Sequence, residues 1–115
     1  MTTLTLTKAP SLCDQLKVLS DENRMRILIL LRDGERCVCD IVNFLGLPQS
    51  LVSHHLAVLR NAALLRDRRS GKWVYYSINK DGVSQLSALL VDVLDPANIS
   101  TESAPDYKPD KCHGS

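Results

Sequence analysis

The stretch VCDIVNFLGLPQSLVSHHLAVLRNAALL, Val38 to Leu65, decides the fold. Val38, Ile41, Val42 and Leu45 recur at helical spacing and mark one face of a short helix that Gly46 ends. Pro48 suits the first turn of a following helix, where its missing N–H costs nothing, and Val52, Leu56 and Leu59 form the buried stripe of that helix. Its opposite face carries Ser50, Ser53, His54 and Asn61. Two helices joined around a glycine, the second opening with small polar groups, predict a helix-turn-helix whose second helix is shaped to enter a major groove.

Working outward, Leu12, Leu16 and Leu19 give a first helix, and Ser20 offers an N-cap for the apolar run Arg24 to Leu31, closed by Asp33 and Gly34. Downstream, Leu64 to Arg69 and Trp73 to Ile78 flank Ser70-Gly71-Lys72 and read as a β-hairpin with a cationic tip. A last helix, Asp81 to Leu94, presents Val83, Leu86, Leu89, Leu90 and Val93, more apolar surface than a lone terminal helix leaves open. That face is assigned to dimerisation, with the first helix beside it. The expected organisation is a flexible start (1–8), one folded unit (9–95) and an unfolded tail (96–115) beginning at Pro96. The fold class is mainly α with a β-hairpin wing, in the order α1-α2-α3-α4-β1-β2-α5: a winged helix-turn-helix.

Composition narrows the function. A chain of 115 residues holds one small domain, for which burial at a subunit interface is a reasonable expectation. No apolar run reaches the roughly 18 to 20 residues of a membrane span, and the first ten residues lack a basic end, so a cytoplasmic, reducing setting is expected for the four cysteines. A formal charge of +1 conceals a sorted distribution. Arg60, Arg66, Arg68, Arg69, Lys72 and Lys80 stand against Asp67 alone, whereas from Asp81 onward Lys108 and Lys111 face six acidic residues. The basic middle is the pattern of a phosphate-binding face.

The order of elements, together with LSDENRMRILILL (Leu19 to Leu31), ERCVCDI (Glu35 to Ile41), GLPQSLVSHHLAVLRNAALL (Gly46 to Leu65) and GKWVYYSI on the hairpin, resembles the ArsR/SmtB family of winged-helix metal-sensing repressors, specifically its arsenic-responsive type. The resemblance runs from about Leu12 to Leu94. It implies a homodimer that holds double-stranded operator DNA until a toxic ion releases it. It places groove-reading groups at Gln49, Ser50, Ser53 and His54, and backbone contacts at Arg66, Arg68, Arg69 and Lys72 on the wing. Ala63 departs from the family's usual glycine; a left-handed backbone there strains alanine by about 1 kcal/mol.

Cys37 and Cys39 lie just before the third helix. Inside a regular helix, residues i and i+2 point about 200° apart and cannot share an ion, so joint ligation demands a non-helical lead-in. Arg36 and the helix amides favour thiolate, and Asp40 opposes it. Relatives with this pattern commonly bind arsenite or antimonite through three thiolates, but the usual third position is Val42 here. Cys13 is the candidate third ligand, and Cys112, beside His113, is the other thiol within reach. A cadmium, lead or zinc site wants more donors than Cys37 and Cys39 provide unaided. His54 and His55 diverge by about 100° and do not converge on an ion; His54 reads as a DNA contact and His55 as partly packed. No histidine lies between Asp81 and Leu94, which argues against a zinc site on the last helix. A thiol-based redox or sulfur-sensing regulator is the competing reading. A thiol enzyme is disfavoured, because neither a Cys-x-x-Cys nor a βαβ pattern is present.

Overall fold

The computed structural model describes residues 6–106. Its elements are α1 (Ala9–Leu19), α2 (Glu22–Leu31), β1 (Arg36–Cys37), α3 (Val38–Leu45), α4 (Gln49–Asn61), β2 (Leu65–Ser70), β3 (Trp73–Ile78) and α5 (Lys80–Leu94), followed by a 3-10 turn, Pro96–Asn98. The expected winged helix-turn-helix is present, with one addition. The two-residue strand β1 joins the hairpin to make an antiparallel sheet of order β1-β3-β2, in which Arg36 faces Tyr76 and Cys37 faces Tyr75.

The apolar stripes meet where the periodicity places them. Ile27 and Leu31 of α2, Ile41 of α3, and Val52, Leu56 and Leu59 of α4 are buried together with Leu64, Leu65 and Tyr76 of the wing. Gly46 takes the left-handed conformation (φ 65°) and donates its N–H to the Val42 carbonyl at 2.9 Å, which ends α3 and turns the chain into α4. Leu12 and Leu86 are the core residues that α1 and α5 contribute. Of the α5 face assigned to dimerisation, Leu86 is buried, Val83, Leu89 and Leu90 pack against the protomer's own core, and only Val93 is exposed; the apolar surface left open on the two helices is Leu16, Val91, Val93 and Leu94.

One expectation is corrected. The cap of α2 is Asp21 rather than Ser20: the Asp21 carboxylate accepts from the backbone N–H groups of Asn23 and Arg24 at 2.8 and 3.1 Å. Ser20 instead closes α1, its hydroxyl donating to the Lys17 carbonyl at 2.8 Å. Residues 6 and 7 are helical, and the 3-10 turn after α5 is capped by the Asp95 carboxylate, 2.9 Å from the Ala97 N–H.

Ala63 is left-handed (φ 61°), as the comparison with glycine anticipated. Its carbonyl accepts from the Asn79 side chain at 2.9 Å, and α5 begins directly above it. A Cβ on Gly82 would overlap the Ala63 carbonyl, so a hydrogen at that position is what lets α5 seat on the turn between α4 and the wing. Alanine at Gly82 gains about 1 kcal/mol of helix propensity, but overpacking against rigid backbone costs about 2–3 kcal/mol and wins. Chemical denaturation should show Gly82→Ala destabilised and Ala63→Gly stabilised by about 1 kcal/mol; a neutral Gly82→Ala contradicts the close contact.

Candidate functional site: a dithiol at the root of the wing

Cys37 is both the last residue of β1 and the N-cap of α3, with an extended backbone (φ −75°, ψ 158°). Cys39 is the second residue of α3. The chain therefore changes from strand to helix between the two thiols, and this supplies the non-helical lead-in that a shared ion requires. The sulfurs of Cys37 and Cys39 and a carboxylate oxygen of Asp40 lie within 4.8 Å of one another, a donor set of two sulfurs and one oxygen. Cys37 is half-buried, and Cys39 and Asp40 are exposed.

The expected bias toward thiolate is reversed at Cys39. Its hydrogen bond with Cys37, burial, and the negative charges of Cys37 and Asp40 hold its thiol above the ordinary cysteine value. The Arg36 guanidinium turns instead to the ring of Phe44, 4.8 Å from the centroid. Asp40, read from sequence only as an opposing charge, is the third potential donor. Its position immediately after Cys39 was the available signal. Cys13 is exposed on α1 and belongs to no cluster of potential ligands among the described residues. Cys112 and His113 lie outside the described residues.

The basic residues divide by strand alternation. A groove of about 450 Å³ between the start of α4 and the wing is lined by Gln49 and Ser53 together with Arg69, Lys72 and Trp73. Cys39 and Val42 line the same groove, which brings one of the two thiols to its wall. Arg66 and Arg68 occupy the other face of β2. Arg66 donates to the Asn79 side chain at 3.1 Å and lies 3.7 Å from Asp81; Arg68 makes a two-bond ion pair with Glu35 at 2.6 and 3.1 Å. Ser50 and His54 are exposed on α4 but do not line the groove. His55 is buried, with Nδ1 3.3 Å from the Arg24 guanidinium, a structural role.

Residues 21–67 match the family described as "Bacterial regulatory protein, arsR family". The chain is 44% identical over 80 residues to the arsenic resistance transcriptional regulator ArsR1 of Pseudomonas putida, covering 69% of this chain and 62% of that protein. It is 44% identical over 78 residues to ArsR2 of the same organism, covering 67% and 68%. It is 42% identical over 71 residues to a cadmium resistance regulator, a CadC homolog of Staphylococcus aureus, covering 61% and 59%. The matched part thus spans less than two thirds of two of these three relatives. Among solved structures, a possible transcriptional regulator for arsenical resistance superposes with a TM-score of 0.65 at 35% identity, covering 70% of this chain and 83% of that one. A homodimeric winged helix-turn-helix DNA-binding domain from Mycobacterium bovis gives 0.60 at 26% identity, covering 92% and 94%. The chain belongs to the arsR family of bacterial regulatory proteins, a family of transcriptional regulators and not of enzymes.

With its thiol pKa raised, Cys39 should alkylate with a pH midpoint above that of an ordinary cysteine. Asp40→Asn should lower that midpoint by removing one of the opposing charges. Iodoacetamide labelling followed by mass spectrometry reads both; a midpoint below the ordinary value contradicts the electrostatics described.

Proposed function

We propose that this chain is a metalloid-responsive transcriptional repressor that binds operator DNA as a homodimer in the cytoplasm and lets go when arsenite or antimonite is held by Cys37 and Cys39. The observation that carries the reading is the convergence of these two sulfurs at the start of α3, with Cys39 on the wall of the groove between α4 and the wing. A dithiol suits a soft, low-coordinate metalloid. Arsenic-resistance regulators among the relatives support the same assignment.

Asp40 favours a second reading, a cadmium-, lead- or zinc-responsive repressor, because a carboxylate beside two thiolates suits a divalent cation. The cadmium-resistance relative supports it. Cys13 remains the candidate for an additional sulfur, brought from α1 of a second copy rather than from within one protomer. Binding through thiolates releases protons, so affinity for either class of ion rises with pH.

Dimerisation is assigned to the open apolar face of α1 and α5, a reading supported by the homodimeric relative. DNA contact is assigned to Gln49, Ser50, Ser53 and His54 on α4 and to Arg69 and Lys72 on the wing. Arg66 and Arg68 are already engaged by Asp81 and Glu35 and contribute less.

Cys37→Ser and Cys39→Ser should each leave operator binding intact and abolish release by arsenite, which in the parent is expected on the scale of about 5- to 150-fold in affinity. Normal release in both variants, followed by fluorescence anisotropy on labelled operator, sinks the proposal. Arg69→Ala and Lys72→Ala should each reduce the logarithmic salt dependence of operator binding by about 1, with Arg66→Ala having a smaller effect. Equal effects at all three positions would remove the distinction between the two faces of β2.

A further inference from the structure

The sheet ties the thiol site to the wing through one row of residues. Cys37 on β1 faces Tyr75 on β3, and Tyr75 faces Arg68 on β2. The Arg68 guanidinium lies over the Tyr75 ring, 4.6 Å from its centroid, and reaches across to clasp Glu35, two residues before Cys37, with Nη2 at 2.6 Å and Nε at 3.1 Å from the two carboxylate oxygens. The hydrogen bond from Arg68 is the main reason the Glu35 carboxyl sits below the usual glutamate range. The connection is thus closed: β1 to β3 by backbone pairing, β3 to β2 by the hairpin, and β2 back to the lead-in of β1 by the ion pair. Arg69, the next residue along β2, is on the groove side.

An exposed ion pair of this kind adds little to stability. What two parallel N–H···O bonds supply is orientation. Neither residue has a part in the donor set, and Arg68 points away from the groove that holds Arg69 and Lys72.

We infer that Glu35 and Arg68 are positioning residues that carry the state of the Cys37–Cys39 site to the wing, so that an ion drawing the Cys37 sulfur toward Cys39 displaces Arg69 and Lys72 from their groove geometry. The direction of this coupling rests on the repressor reading above. The mechanical link itself rests only on the sheet and the ion pair.

The test uses the full chain with Glu35→Gln, Arg68→Gln and the exchanged pair Glu35→Arg with Arg68→Glu. Trp73, the single tryptophan, begins β3 at the wing tip and reports on the wing by its emission. Cadmium reports occupancy independently through its thiolate absorption band, and arsenite is titrated in parallel. Both glutamine variants should take up both ions with parental stoichiometry, and Glu35→Gln, which removes no DNA contact, should bind operator without ions within about fivefold of the parent, the scale of an exposed ion pair; Arg68→Gln is read against its own ion-free affinity. Their ion-induced loss of operator affinity should shrink to about twofold or less, against the about 5- to 150-fold usual for such coupling. The Trp73 response to ions should shrink in step, and the exchanged pair should restore both.

Parental release and a parental Trp73 response in the glutamine variants would overturn the inference. So would a lower salt slope for Arg68→Gln accompanied by tighter operator binding for Glu35→Gln, which would make Arg68 a phosphate contact restrained by Glu35. If the parent takes up ions and keeps its operator affinity, the repressor reading fails by itself. The link is then judged without ions by amide hydrogen exchange at Cys37 and Tyr75: faster exchange in Glu35→Gln supports it, and unchanged protection overturns it.

Discussion

The structure turns on the change from strand to helix between Cys37 and Val38. Two extended residues pair with β3, and the chain then winds into α3 with Cys37 as its cap. Continuous helix through this point would send the two sulfurs to opposite sides, and continuous strand would remove the first helix of the helix-turn-helix. The switch brings the sulfurs and Asp40 together and fixes α3 against the wing in the same step.

The core makes this junction consequential. Ile41 of α3, Val52 and Leu56 of α4 and Tyr76 of β3 are buried in one cluster, so α3, the reading helix and the wing share a single packed centre. Interiors packed at that density transmit displacement rather than absorb it. A ligand at the proposed Cys37–Cys39 site would act on a piece of backbone hydrogen-bonded to the wing and continuous with α3. No long pathway is needed to connect occupancy to groove geometry.

Much of this was legible from the chain because it depends on repeats. The helical spacing of Val38, Ile41, Val42 and Leu45, the glycine that stops that helix, and the β-branched and aromatic run Trp73 to Ile78 each state a local preference that the packed structure keeps. The strand β1 was not legible, since two residues, Arg36 and Cys37, are too few to display alternation. Asp21 and Ser20 are both good capping residues, and the choice between them followed from where α1 ends.

Pairings across the sheet were equally hidden. The basic run Arg66, Arg68, Arg69 reads as one patch along the sequence, yet the strand alternates and sends Arg68 to Glu35 and Arg69 to the groove. The Cys-x-Cys spacing pointed to the site, but Asp40 joined it only once the helix start was placed. Arsenic-edge X-ray absorption of the arsenite-loaded protein tests the central claim most directly. The account predicts at least two sulfur neighbours per arsenic, lost when Cys37 and Cys39 are both serine; an all-oxygen shell, or an unchanged sulfur count in the double-serine variant, would contradict it.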